Sequence, residues 1–179
     1  MKMTSAYANK ALRKLNEDKE FWRGKEEEGC LYVAALDEQP VVPEYDYRQV
    51  SETIRRIDEK IVKIKHAINL ANLTSTVRVE FEYEDTQPVE KEMTVDQLLI
   101  RMAQLSRRKL FLDGLRKHDP KVRINSGLYA SRKTAPEYQY INYDLAEVKE
   151  DYDRIDRELA AMQIALDRYN QTHEFEVEI

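Results

Sequence analysis

Apolar residues recur along this chain with alternating steps of three and four positions, which is the spacing of a coiled-coil heptad. The clearest run lies between Tyr47 and Ala71 and consists mostly of isoleucine. Its members are Val50, Ile54, Ile57, Ile61, Ile64, Ile68 and Ala71. Charged residues fill most positions between them, so the run predicts a long helix whose apolar stripe packs on another helix.

A second run of the same kind follows Asp144, which is placed to cap the N-terminus of a helix. The apolar positions are Leu145, Val148, Tyr152, Ile155, Leu159, Met162, Leu166 and Tyr169. A helix of this extent reaches roughly 40 Å at about 1.5 Å per residue. We therefore expect a partner helix along its whole length.

A third helix is predicted from Thr94 to about His118, where Thr94 and Gln97 have the spacing of a capping box. The seam positions are held by Val95, Leu98, Met102, Leu105, Leu112 and Leu115. Lys109 occupies one further seam position, where it can extend its charge to water or fix the register of the pair.

A fourth, weaker amphipathic pattern predicts an N-terminal helix over about Thr4 to Glu28. Gly24 and Gly29 indicate where this helix frays and stops. The segment 31–47 contains Pro40 and Pro43 and is predicted to be an extended connection. Residues 119–143 form a second long connection.

Strict alternation of apolar and charged residues replaces the heptad pattern in two short segments, Val77 to Tyr83 and Val89 to Met93. This period of two is typical of strands and predicts a β-hairpin insertion at 76–93, between the second and third helices. The tail from Glu174 to Ile179 also alternates, and we expect it to add to the edge of the hairpin.

The predicted fold is mainly α, an antiparallel helical bundle or coiled coil of about four helices in a single domain over residues 1–179. Composition agrees with long helices, because the chain has only 4 glycines and 5 prolines while 35% of its residues are charged. The net charge of -5 gives no overall attraction to nucleic acid.

The single Cys30 has no partner for an internal disulfide, which favours a reducing compartment. The N-terminal residues lack the continuous apolar region of a signal peptide. No segment approaches the roughly 18 apolar residues that span a bilayer. We therefore expect a cytoplasmic protein that has no contact with membranes.

No motif for catalysis, cofactor binding or metal binding is recognisable in the sequence. His66, His118 and His173 are not spaced as metal ligands. The 4 glycines do not form a phosphate-binding loop. The expectation is a protein that is not an enzyme and that has no catalytic residues, cofactor or metal.

Several short segments resemble a family of uncharacterised bacterial coiled-coil proteins, some of which carry the label septicolysin. Residues 63–69 with Asn72, Thr74 and Thr76 are similar to the family's Ile-Asn-x-x-Asn-x-x-Thr signature. The similarity continues loosely through residues 98–112, 128–133, 144–147 and 170–172. The hairpin insertion and the longer C-terminal tail depart from the family pattern.

This resemblance implies a helical bacterial protein for which no catalytic residues are established. The toxin-like label finds no support in the residues, since the sequence has neither an export signal nor an apolar segment that inserts into membranes.

Basic residues concentrate between Arg101 and Lys133, where Asp113 and Asp119 are the only acidic residues. Eight of the cations are candidate polyanion-binding residues: Arg107, Arg108, Arg116, Lys117, Lys121, Arg123, Arg132 and Lys133. The following segment, 136–179, is strongly acidic.

Two interpretations of this basic block remain open. The first is a nucleic-acid or other polyanion site, in which Tyr129, Tyr138 and Tyr140 stack on bases. The second is that the basic third helix packs antiparallel to the acidic last helix, with charges beside the seam that select the partner and its orientation.

A polar cluster near the predicted end of the second helix is the other candidate site. It consists of Asn69, Asn72, Thr74 and Thr76. Polar residues at this place also cap a helix and turn the chain, so a purely structural role is equally compatible with the pattern.

The leading functional hypothesis is a non-enzymatic, homo-oligomeric coiled-coil scaffold or adaptor, in which the long seams are shared between copies or with a protein partner. Ten residues form the predicted oligomer seam: Ile54, Ile57, Ile61, Ile64, Ile68, Tyr152, Ile155, Leu159, Met162 and Leu166. The alternative is a nucleic-acid-binding module that uses the basic block. An enzyme with a site between Tyr129 and Tyr140 is a third, residual hypothesis.

Overall fold

The computed structural model describes residues 1–82, 87–124 and 137–178. The four predicted helices are confirmed, and each begins and ends close to its predicted bounds. They are α1 (Ser5–Gly29), α2 (Tyr47–Thr74), α3 (Val95–Leu115) and α4 (Leu145–Thr172).

Side-chain caps explain why these helices begin where they do. The capping box is present, since the Thr94 hydroxyl accepts from the Gln97 backbone N–H and the Gln97 side chain accepts from the Thr94 N–H. The Asp144 carboxylate accepts from the backbone N–H of Ala146, as the predicted cap requires. Asp46, which sequence reasoning did not single out, caps α2 in the same way.

The two glycines of α1 have different environments. Gly24 lies inside the helix with open space around it, so the prediction that the helix frays there is wrong. Gly29 ends the helix against Tyr45, and a β-carbon at this position would lie 2.7 Å from the Tyr45 Cβ atom. Only glycine permits the chain to approach this closely.

Short strands form three pairs. They are β1 (Lys2–Thr4) with β6 (Glu174–Glu176), β2 (Thr76–Phe81) with β3 (Val89–Thr94), and β4 (Lys121–Arg123) with β5 (Tyr138–Tyr140). The hairpin insertion is confirmed as the β2–β3 pair. The expectation that the tail adds to this hairpin is wrong, because β6 pairs antiparallel with β1. Backbone hydrogen bonds between Met1 and Val177 extend that pairing and bury Val177.

The residues fall into two compact units, of which the first contains Met1–Thr76 and Leu166–Ile179. In this unit α1 and α2 run antiparallel, since Gly29 contacts Tyr45 while Lys19 forms an ion pair with Asp58. The core is formed by apolar side chains from both helices and both terminal strands: Met3, Ala8, Leu12, Ile57, Ile61, Ile64 and Val177.

The second unit contains Val77–Ala165. Two ion pairs join α3 to α4 in it, Arg101 with Glu158 and Lys109 with Asp156, and the Tyr143 hydroxyl donates to the Leu115 carbonyl. The order of these contacts makes α3 and α4 antiparallel. Each helix contributes buried side chains seven positions apart: Leu98, Leu105 and Leu112 on α3, and Val148, Ile155 and Met162 on α4.

Among the described residues, no helix combines the length and the apolar character needed to cross a membrane. Within the same ranges, no group of three or more His, Cys, Asp or Glu side chains is placed to hold a metal ion.

Candidate interaction surfaces

The predicted seams are only partly covered within the chain. On α2, Ile57, Ile61 and Ile64 are buried, whereas Ile54 and Ile68 are half-buried. On α4, Ile155 and Met162 are buried, and the seam residues that alternate with them are half-buried: Tyr152, Leu159 and Leu166. One side of each apolar stripe thus contacts the core, while the other side remains accessible to a further helix.

Large apolar side chains also lie on helix surfaces outside the seams. On α3 they are Leu99, Ile100, Leu110 and Phe111, and comparable positions are Val62, Leu70 and Leu73 on α2 and Ile164 on α4. Residues 110–112 are all large and apolar, and a single helix stripe accommodates only one of them, Leu112. That crowding is the sequence signal by which the exposed positions could have been found.

An apolar loop, residues 31–46, joins α1 to α2 and is exposed along most of its length. The exposed fraction is 99% for Val33 and 90% for Val41, and Leu31 and Leu36 are similarly open to water. The loop carries four carboxylates and no lysine or arginine: Asp37, Glu38, Glu44 and Asp46. It is therefore both apolar and acidic.

Four cations of the basic block have carboxylate partners inside the chain. Arg101 pairs with Glu158 and Lys109 with Asp156, both across the α3–α4 contact, while Arg116 and Lys117 share Asp113. The hydrogen bond to Asp156 raises the pKa of Lys109. The hydrogen bonds from Lys117 and then Arg116 lower the pKa of Asp113. At Arg101 and Lys109 these contacts agree with the interpretation in which a basic helix pairs with the acidic last helix.

The seam position of Lys109 is explained by Tyr152. The Lys109 ammonium lies 5.2 Å from the centre of the Tyr152 ring, and the Arg116 guanidinium lies 4.0 Å from it. Cations above an aromatic face are attracted by the ring quadrupole. Tyr152 thus joins the α3–α4 contact through two cations as well as through its apolar surface.

The β4–β5 ribbon places basic and aromatic side chains together. Lys121 is opposite Tyr140 and Arg123 is opposite Tyr138, so these four side chains share one face of the ribbon. The Lys121 ammonium is 4.2 Å from the Tyr138 ring centre and 5.5 Å from that of Tyr140. All four residues are exposed.

The other members of the basic block are separate from this ribbon or are not described. Arg107 and Arg108 are exposed on α3, where the Arg108 guanidinium lies 5.5 Å from the Phe111 ring centre. The candidate residues Arg132 and Lys133, and Tyr129 with them, lie outside the described residues.

The polar cluster does not form a buried site. Asn69, Thr74 and Thr76 are exposed and Asn72 is half-buried. The Thr74 hydroxyl donates to the Leu70 carbonyl 2.8 Å away, which is a contact within the last turn of α2. This geometry fits the helix-ending role.

A hydroxyl–imidazole pair next to this cluster was missed by sequence reasoning. The Ser75 Oγ and the His173 Nε2 atoms are 3.0 Å apart, and the His173 ring stacks on Tyr169 with centroids separated by 4.7 Å. The two hydrogen-bonded residues are 98 positions apart in sequence, so no local pattern reveals the contact. Both lie in the first unit, where the pair ties the end of α2 to the end of α4.

Comparison with known proteins finds no protein-family model, no curated protein and no solved structure that matches this chain. The resemblance to bacterial coiled-coil proteins therefore stays a prediction, and function is argued from the surfaces described above.

Proposed function

We propose that this protein is a non-enzymatic scaffold or adaptor that assembles into homo-oligomers through coiled-coil contacts between its helices. The observation that supports the proposal best is the exposure of large apolar side chains on ordered helices. Leu110 is 75% exposed, Val62 66% and Ile164 63%. Clusters of exposed apolar residues on helices mark protein contacts more often than they mark free surface.

The accessible surface supports the same proposal. The chain exposes 14128 Å², whereas a compact monomer of 21.2 kDa is expected to expose about 9,100 Å². The excess is larger than the roughly 1,200–2,000 Å² that a standard protein interface buries in total. Association of copies is a direct way to remove this excess from water.

The half-buried seam residues indicate where coiled-coil contacts would form. Ile54 and Ile68 on α2, and Leu159 and Leu166 on α4, present one side to the core and one side to solvent. A helix from a second copy that packs along either row would complete the knobs-into-holes pattern of the heptads.

The purified protein is expected to have a solution mass that is a multiple of 21.2 kDa at micromolar concentration. Light scattering coupled to size exclusion measures that mass directly. Because the contacts proposed here are mainly apolar, the oligomer should persist at high salt. A monomeric mass at micromolar concentration in low and high salt would contradict the proposal.

A second candidate function, binding of single-stranded nucleic acid, is favoured by the β4–β5 ribbon. Its exposed face combines two cations with two tyrosine rings, the pair of features that single-strand sites use for phosphates and for base stacking. Paired cations such as Lys109 and Arg116 are less available for such a role.

If the ribbon binds nucleic acid, a fluorescent single-stranded oligonucleotide should bind at low salt and dissociate as salt rises. The double variant Lys121→Glu with Arg123→Glu should then weaken binding about tenfold or more, since two phosphate contacts become repulsive. The matched control, Lys63→Glu with Lys65→Glu on α2, makes the same charge change on another exposed surface. Equal losses in both variants, or no binding at low salt, would exclude the ribbon as the site.

A further inference from the structure

We infer that the apolar loop of one copy, residues 31–46, docks on the outer face of α3 in a second copy. The outer face consists of Ile100, Arg107, Arg108, Leu110 and Phe111. This inference rests on the proposed homo-oligomer and adds to it the two surfaces that meet.

The loop is suited to be the inserted element. Val33, Leu36 and Val41 are almost fully exposed, so nearly all of their apolar surface is available for burial against another protein surface. Pro40 and Pro43 restrict the backbone of the loop, which reduces the conformational entropy that binding has to remove. The close contact of Gly29 with Tyr45 fixes its base against the end of α1.

The outer face of α3 is suited to be the receiving surface. Its residues lie on the side of the helix opposite to the buried stripe formed by Leu98, Leu105 and Leu112. Ile100, Leu110 and Phe111 are each more than half exposed. Gly114 continues this face and has open space above it, so a second backbone can approach the helix closely there.

Charge complementarity selects the loop as the occupant of this face. The loop has four carboxylates and no cations, whereas the outer face has two arginines and no carboxylate. Arg107 and Arg108 differ from Lys109 and Arg116, whose carboxylate partners lie within the described part of the same chain. Apolar contacts flanked by opposite charges are the usual composition of a specific interface.

A second copy of the chain satisfies both surfaces at once. Under twofold symmetry the loop of each copy contacts α3 of the other, so a single arrangement forms the contact twice. The exposed area of 14128 Å² leaves ample surface for two such contacts.

The test is a charge exchange followed by sedimentation velocity. The variant Arg107→Glu with Arg108→Glu and the variant Asp37→Arg with Glu38→Arg should each raise the dissociation constant of the oligomer about tenfold or more. The variant that combines all four substitutions should restore association to within about threefold of wild type, because the opposite charges face each other again. Lys63→Glu with Lys65→Glu serves as the charge-matched control and should leave the oligomer unchanged.

The possible outcomes separate this inference from the proposal on which it rests. Loss in both double variants with recovery in the combined variant supports the docking. An oligomer that neither double variant weakens overturns the docking and keeps the scaffold proposal. Weakening without recovery overturns the pairing of these two surfaces. A monomeric wild type overturns both the docking and the homo-oligomer. Circular dichroism of each variant should match wild type, as the substituted side chains are exposed.

Discussion

Replacement of Ile64 by alanine is expected to lower the free energy of unfolding of the first unit by about 2–5 kcal/mol. Ile64 is 1% exposed and packs in the core that α1, α2 and the terminal strands share. The substitution removes three carbon atoms from a site that neighbouring helices are unable to fill completely, so a cavity remains. Urea denaturation followed by circular dichroism measures the change.

Val62→Ala on the same helix is the matched control. Val62 lies two positions away and is 66% exposed, so its substitution should change the free energy of unfolding by less than about 0.5 kcal/mol. Similar losses for both variants would show that the seam of α2 is not buried as described. The comparison is best made in denaturant, where association contributes least.

Met162→Ala is expected to destabilise the second unit by a similar amount, about 2–5 kcal/mol. Met162 is 2% exposed and belongs to the stripe of α4 that also contains Val148 and Ile155. Its loss leaves the α3–α4 pair with an unfilled layer. Thermal unfolding of the purified variant should show a transition several degrees below that of wild type.

The corresponding control is Ile164→Ala, since Ile164 is on the same helix and is 63% exposed. A small effect at this position together with a large one at Met162 confirms which face of α4 is internal. If Ile164→Ala were the more destabilising variant, the orientation of α4 would be the reverse of that described here.

The helices could be predicted from sequence because their signals are local. Heptad spacing, the Thr94–Gln97 capping box and the Asp144 cap each depend on residues a few positions apart, and the structure contains all of them. The period-two alternation of β2 is equally local. Gly24 is the exception, since an isolated glycine inside a long helix is tolerated at a cost of about 1 kcal/mol and does not end it.

Contacts between distant segments could not be predicted in this way. The β1–β6 pair joins opposite ends of the sequence, and the tail alternates as it would in any strand, so the pattern carries no information about its partner. The pairing of Ser75 with His173 is hidden for the same reason.

The basic block shows both what composition reveals and what it leaves open. A run of cations predicts either a polyanion site or a set of ion pairs, and only the positions of the carboxylates distinguish these. Asp156 and Glu158 lie beside Lys109 and Arg101, so two members of the block are used between helices. Lys121 and Arg123 instead lie beside tyrosine rings on an exposed ribbon.

The discontinuous composition of the first unit has a consequence for biosynthesis. Val177, which belongs to its core, leaves the ribosome about a hundred residues after Ile64, which Val177 helps to cover. The hairpin of α1 and α2 must therefore wait with an incomplete core while the second unit, a single continuous stretch, is translated. Closure of so long a loop is slow, so completion of the first unit becomes a late step in the maturation of the nascent chain.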